Sequence, residues 1–312
     1  MTIPKAKVAL IIIHFSGIAE TLDCLESLKK ADLTNLELNL ILVDNSENSD
    51  LEFKLTSYSP KVNYLKFPQN LGFSQGTNKG LEEALKIGAQ YIILLNSDTT
   101  LPPDLLIRLV KFANLNKQYG LISPKIYFAP GYEYQKNRYK NREKGRVIWY
   151  AGGKIDWDNI FPKHIGVDEV DKKQFDQLKE VDFVTGCCIL IRKEVVNKVG
   201  LFDKNYFVYF EDVDYSVRAI KLGFKICYLP DTFIWHKNAS SSGKPGSLLH
   251  VYFQTRNRFY FGLKYASLKT KFHLLKEAIK FALSSDIAKQ NGAKDFLFGN
   301  MGKGSLALFI KD

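Results

Sequence analysis

The chain has 312 residues and a mass of 35.6 kDa, enough for one large α/β domain or a domain with a C-terminal extension, because single hydrophobic cores stop growing near ~250–300 residues. Hydrophobic residues at 46% and aromatics at 13% exclude a disordered polypeptide. Lys+Arg 44 against Asp+Glu 33 gives a formal charge of +11, which points to phosphate-bearing partners: nucleotides, nucleic acid or anionic lipid.

The opening stretch MTIPKAKVALIII lacks the layout of a cleavable signal, and no apolar run approaches the ~18–20 residues of a membrane span. A cytoplasmic protein, soluble or peripheral to a membrane, is expected. Residues 8–13 (VALIII), 38–43 (LNLILV) and 91–95 (YIILL) are short apolar runs without polar alternation, as parallel strands covered on both faces require. Helical spacing separates them, first at Leu22, Leu25 and Leu28, then at Leu81, Ala84, Leu85 and Ile87. This β-α-β alternation predicts a Rossmann-like, mostly parallel sheet flanked by helices, with the C-terminal strand ends along one ligand-binding edge. Polar residues follow each strand there: His14, then Asp44-Asn45-Ser46, then Asn96-Ser97-Asp98. A helix over 103–118 and a strand near 120–127 come next, and 128–180 reads as an insertion or mobile loop region. Residues 181–184 and 188–191 are two strand-like runs around Thr185-Gly186. Val213, Val217 and Ile220 have the spacing of an inward helix face that begins beside Glu211, Asp212 and Asp214. From 246 onward the chain reads as helices rich in aromatic and basic residues.

Several chemistries are excluded by pattern. The turn after the first strand, His14-Phe15-Ser16-Gly17, is not G-x-G-x-x-G, and the phosphate-binding G-x-x-x-x-G-K-[ST] loop is absent, Gly302-Lys303-Gly304-Ser305 being a partial echo. The four cysteines, Cys24, Cys187, Cys188 and Cys227, lack zinc-ribbon spacing and suit a reducing compartment. Asp98 is a candidate for Mn²⁺ or Mg²⁺, since a single carboxylate with substrate phosphate oxygens commonly holds such a hard ion; the alternative is an N-cap of the next helix. Asp214 can pair with Arg218 at i+4, which leaves Glu211 and Asp212 beside aromatic Phe207, Tyr209 and Phe210 as a general-base pair. His236, after Phe233-Ile234-Trp235 and before Ser240-Ser241-Ser242-Gly243, is a structural histidine or, next to a metal, a ligand favouring Mn²⁺.

The ordered set VALIIIHF, LILVDNSENSD, NLGFSQGTNKGL, YIILLNSDTTLPPDLL, VTGCCILIRKEVVNKVGLFDKNYFVYFEDVDYSVRAIKLGFK and WH resembles the family 2 inverting glycosyltransferases of the GT-A fold. It is most similar to the rhamnosyltransferase-like branch, over roughly residues 7–240. The resemblance implies that Asp44 binds the base or ribose of a nucleotide, with His14, Phe15 and Asn45 beside it. It makes Asp98 the metal-binding aspartate of a D-x-D motif whose first position is here Asn96, with Ser97 between, and His236 a further metal ligand. Asp212 becomes the catalytic base with Glu211 as its neighbour. Asn70, Asn78 and Gly186 take supporting parts in nucleotide-sugar binding.

The implied reaction is a metal-assisted displacement, with inversion, from a UDP-sugar or dTDP-rhamnose to a hydroxyl of a glycan or lipid-linked acceptor. The expected organisation is a catalytic domain over 1–245, with a nucleotide half to about 127 and an acceptor half over about 180–245, then a helical extension over 246–312. Two rivals are a sugar nucleotidyltransferase, whose Gly-rich basic signature IHFSGIAE does not supply, and a nucleic-acid or anionic-surface module. No nucleic-acid motif is found, so no nucleic-acid partner is expected. The segment 252–283 combines Phe259, Tyr260, Phe261, Leu263, Leu268, Phe272, Leu275, Ile279 and Phe281 with Arg256, Arg258, Lys264, Lys269, Lys271, Lys276 and Lys280, a composition that either packs on the catalytic domain or lies on an anionic membrane.

Overall fold

The computed structural model describes residues 5–47, 50–55, 58, 62–135, 137–238 and 246–305. Ser240-Ser241-Ser242-Gly243 lies outside the described residues. In chain order come β1 (Ala6–His14), α1 (Ile18–Leu28), β2 (Leu36–Asp44), α2 (Leu51–Leu55), β3 (Val62–Lys66), α3 (Gly72–Lys86), β4 (Tyr91–Asn96), β5 (Thr99–Thr100), α4 (Leu105–Leu115) and β6 (Tyr119–Phe128). They are followed by β7 (Ile148–Tyr150), β8 (Gly153–Asp156), β9 (Phe161–His164), β10 (Lys179–Glu180), β11 (Cys188–Arg192), α5 (Lys193–Val199), α6 (Glu211–Lys221) and β12 (Lys225–His236). The helices α7 (Leu248–Tyr265), α8 (Leu268–Ala282) and α9 (Ile287–Leu297) close the described chain.

The main sheet runs β10-β12-β6-β11-β4-β1-β2-β3, with β1, β2, β3 and β4 parallel and β11 antiparallel to both β4 and β6. The three apolar runs lie side by side as β4, β1 and β2 and are buried, except at Leu38 and Asn39 where β2 starts, because both faces are covered. Leu10, Ile12, Leu42 and Leu95 pack against Leu25 of α1 and Leu105, Leu106 and Leu109 of α4. Their neighbours Ile11, Ile13, Val43 and Leu94 pack on the other side against Leu81 of α3, Val195 of α5 and Tyr215 of α6. Register does the rest: His14 lies opposite Asp44, and Ile13 opposite Asn96, so three polar strand ends reach one level of the sheet edge.

Four expectations need correction. Residues 181–184 form no strand; Val184 N donates to Ser216 Oγ at 3.1 Å and Asp182 N to Gly153 O at 2.9 Å, so a helix and a hairpin take the bonds a ladder would have used. The 128–180 region is no mobile loop. Its β7 pairs with β6, its β8 and β9 form a hairpin, and Val147, Tyr150 and Ile160 are fully buried. Ile220 is 42% exposed although Val213 and Val217 of the same helix are buried. Arg256 is fully buried, its guanidinium held by the Gly302 carbonyl at 2.7 Å, so it adds no charge to the surface.

Buried and half-buried carboxylates set the acid stability. Lys125 Nζ lies 2.7 Å from Asp171, Lys264 Nζ 2.9 Å from Asp203, and Ser305 N donates to Asp295 at 2.7 Å. Burial alone would raise these three carboxyls, but their donors outweigh it and hold each below the usual 3.8. A lowered carboxyl stabilises the fold above its unfolded pKa and loses that contribution as pH falls through its folded value. The thermal midpoint is therefore expected to fall steeply below about pH 3.8, and a midpoint flat to lower pH in a melting series contradicts these pairs.

Candidate active site

A cleft of about 660 Å³ opens along the C-terminal edge of the sheet. Its floor is made where β5 pairs with β12, His236 standing opposite Thr99, so the residue just before β5 meets the end of β12. His236 Nε2 is consequently 3.2 Å from Asp98 Oδ1, both side chains are buried, and Lys237 N donates to the Asp98 carbonyl at 2.8 Å. Asp98 does not cap a helix, since α4 begins after Asp104. Two ligands at right angles around an octahedral ion, each ~2.1 Å away, stand about 3 Å apart, so this carboxylate and imidazole fit a Mn²⁺ or Mg²⁺ ion. No cluster of three such donors occurs among the described residues, so phosphate oxygens or water would complete the shell.

Asn96, Ser97, Asn45, Asn70, Phe15 and Gly186 line the same cleft. Asn45 Nδ2 donates to Gly72 O at 2.8 Å, and its Oδ1 is buried without a hydrogen-bond partner among the described residues, an acceptor available to a bound molecule. Gly72, at φ 76°, starts α3 where a Cβ would lie 2.5 Å from the Phe207 carbonyl; the close approach lets Phe73 N bond that carbonyl at 2.7 Å. His14, Asp44 and Asn78 stand behind the wall instead. Asp44 is fully buried, taking bonds from Ser46 N at 2.8 Å, Tyr64 Oη at 2.5 Å and Lys66 Nζ at 3.2 Å. Burial lowers the His14 pKa, and its Nδ1 is 2.8 Å from Thr21 Oγ1. Asn78 bridges to Phe202, joining α3 to the segment that leads toward α6.

The opposite wall carries the carboxylate pair. Tyr209 and Phe210 have φ of 68° and 72°, a left-handed conformation that costs aromatic residues about 1–3 kcal/mol each. The turn throws Glu211 and Asp212 onto the first turn of α6, and both line the cleft. It is tied down from α7: Asn257, fully buried, donates from Nδ2 to Val208 O at 2.8 Å and Tyr209 O at 2.9 Å. Asp212 receives Gly186 N and Val213 N, each at 2.8 Å. Burial raises both acids, Glu211 the further because the Asp212 charge adds to its burial while Asp212 is relieved by these amides. Of the two, Glu211 is pushed further toward its neutral form and Asp212 is the better held as an anion. Asp214 is spent elsewhere, on Arg218 at 2.8 Å and Lys264 at 2.5 Å.

The sequence reading missed several cleft residues. Trp149 and His164, from the 128–180 region, stack edgewise with centroids 4.5 Å apart, and Trp149 meets His236 at 4.6 Å. Burial holds His164 neutral, its pKa down to about 4. The missed signals were a dense aromatic stretch ending in Gly152-Gly153 and, for Asn257, an amide inside an aromatic helix.

A sequence model of the family described as "Glycosyltransferase like family 2" matches residues 4–262. The chain is 23% identical over 221 residues to N-acetylglucosaminyl-diphospho-decaprenol L-rhamnosyltransferase of Mycobacterium tuberculosis, covering 68% of this chain and 70% of that protein. It is 25% identical to the low-salt glycan biosynthesis hexosyltransferase Agl10 of Haloferax volcanii, covering 70% of this chain and 65% of that one. Among solved structures it superposes on GalNAc-T7 with UDP, GalNAc and Mn²⁺ at a TM-score of 0.59 and 15% identity, over 88% of this chain and 54% of that one. With TarS of S. aureus the TM-score is 0.52 at 14% identity, over 93% of this chain and 43% of that one. The chain thus spans about half the length of these two structures, and at such identities the likeness establishes the fold.

Proposed function

The chain belongs to glycosyltransferase family 2, a rhamnosyltransferase-like transferase of the GT-A fold that draws on a nucleotide-sugar donor, and from that premise we propose that it transfers the sugar by a single inverting displacement with Asp212 as base. The observation that carries this reading is that Asp212, its carboxylate bonded by two backbone amides, lines the same cleft as the Asp98–His236 pair. An acceptor hydroxyl gives its proton to Asp212 as its oxygen attacks the anomeric carbon. The new C–O bond forms on one face while the bond to the diphosphate breaks on the other, and the nucleoside diphosphate leaves. Asp98 and His236 would hold Mn²⁺ or Mg²⁺, which when bound supplies charge neutralisation for the diphosphate. Asn45, Asn70, Asn96, Ser97 and Gly186 bind the donor; His14, Asp44 and Asn78 act by holding the wall that carries them. We assign the catalytic domain to residues 1–245, and the extension that follows serves it through α7, whose Asn257 fixes the turn before Glu211.

The donor is a UDP-sugar or dTDP-rhamnose, and the acceptor a glycan or lipid-linked glycan hydroxyl. The mycobacterial relative's name, with its diphospho-decaprenol moiety, supports the lipid-linked choice. A thermal-shift screen of UDP, GDP, CDP and dTDP with Mn²⁺ or Mg²⁺ tests the donor. One base should stabilise the fold, by about 2.7 kcal/mol at a hundred times its Kd, and no stabilisation by any of the four would refute the nucleotide site.

The tie from α7 has its own expected result. Asn257→Leu removes two hydrogen bonds from the strained turn, and a base displaced by ~1 Å can cost up to ~10² in rate. Turnover should drop about 10–100-fold with nucleoside diphosphate affinity unchanged; turnover within twofold of the parent would show that the turn holds without α7.

A further inference from the structure

We infer that the outer face of α8 is a docking surface for a bilayer with anionic headgroups. The inference stands on the helix surface and needs no part of the transfer reaction. Leu268, Phe272, Leu275 and Ile279 are 85%, 56%, 38% and 56% exposed, although apolar side chains of this size are ordinarily buried. At about 100° per residue they fall within a sector of roughly 60°, one continuous stripe along the helix. Leu283 and Ile287, 81% and 63% exposed, prolong the row in sequence. The opposite side of α8 is already used, Leu274 and Ala278 being buried against Phe259 and Phe261 of α7.

Charge selects the occupant. Lys269, Lys276 and Lys280, all exposed, flank the stripe on one side and Lys271 on the other. Lys276 Nζ rests 4.3 Å from the Phe272 ring centre, its stem along the apolar row and its ammonium at the edge. The one carboxylate of α8, Glu277, is turned away and engaged by Arg258 at 3.0 Å. An apolar stripe bordered by ammonium groups matches the boundary between acyl chains and anionic headgroups, each basic residue contributing about a fivefold gain in affinity. A second protein copy would present the same lysines and repel them. No helix among the described residues is long and apolar enough to cross a membrane, so the contact would be interfacial.

The surface is joined to the cleft by packed side chains. The β8–β9 hairpin supplies Phe161 to the cleft wall, while its Ile160 packs beside Gly262 and into the cluster that holds Leu274 of α8.

Flotation of the full chain with phosphatidylcholine vesicles, with and without phosphatidylglycerol, tests this. Association with the anionic vesicles alone, weakened by salt, is expected. The exposed triple variant K269Q/K276Q/K280Q should lose about 100-fold in affinity, and Phe272→Asp with Ile279→Asp should abolish binding while the melting temperature stays unchanged. The control K30Q/K111Q/K117Q, which removes the same charge from exposed sites elsewhere, should bind like the parent. The proposal fails on no association, on equal association with neutral vesicles, or on equal loss in the control. It fails too if light scattering finds a dimer that Phe272→Asp disperses, which would make a second copy the occupant.

Discussion

Asp212→Asn is expected to lower turnover by about 10²–10⁴ while leaving nucleoside diphosphate binding intact, whereas Glu211→Gln should keep turnover within about tenfold of the parent. The two acids are adjacent and line the same cleft, so the contrast comes from their charges. Glu211 is buried, with Oε2 lacking a hydrogen-bond partner among the described residues, and its pKa is raised well above the usual value by burial and by the Asp212 charge. Both causes favour its neutral acid form, which glutamine imitates. Asp212 is the better placed of the two to carry the negative charge because two backbone amides donate to it, and asparagine cannot accept the proton. Because the Asp212 pKa is raised, the rate should fall on the acid side from a pH above the ordinary carboxylate range. The reverse ranking of the two variants, read in turnover and in diphosphate affinity, would move the base to Glu211.

The second large effect concerns the floor of the cleft. Asp98→Ala and His236→Ala should each weaken nucleoside diphosphate binding in Mn²⁺ at least about 10–100-fold, a loss already typical of partners one shell further from a metal. In EDTA the parent and both variants should bind alike, because the lost interaction is then absent from all three. Calorimetric titration reads both conditions directly. Equal affinity of the parent with Mn²⁺ and with EDTA would remove the ion from the account and leave the diphosphate to amides and basic side chains. Asn96 makes this more than a formality: an amide stands where the D-x-D pattern has a first carboxylate, and among the described residues two protein donors converge here rather than three.

What could be read in the sequence follows from how local each cause is. The strands β1, β2 and β4 declare themselves because burial on both faces requires unbroken apolar runs, and parallel pairing then brings His14, Asp44 and Asn96 to one level. The strand β3 escaped notice because it lies at the sheet edge, where VNYLK is half-exposed and short. Residues 181–184 look like a strand in composition, yet their partners are Ser216 and Gly153, which no local pattern reveals. The meeting of Asp98 with His236 rests on the β5–β12 pairing, a contact between distant parts of the chain that only the motif resemblance anticipated. The tie between Asn257 and the turn at Tyr209 is equally remote in sequence, and so an extension that reads as an appendage holds the carboxylate wall.

The most direct measurement uses water as the acceptor, so that no acceptor need be known. The purified chain is incubated with UDP-sugars and dTDP-rhamnose in Mn²⁺, and proton NMR follows the anomeric signal of the released sugar before mutarotation. The account predicts release from one donor with the anomeric configuration opposite to that in the donor, and loss of that release in Asp212→Asn. A released sugar with retained configuration, or full release by the Asp212→Asn variant, would contradict a single displacement driven by that carboxylate.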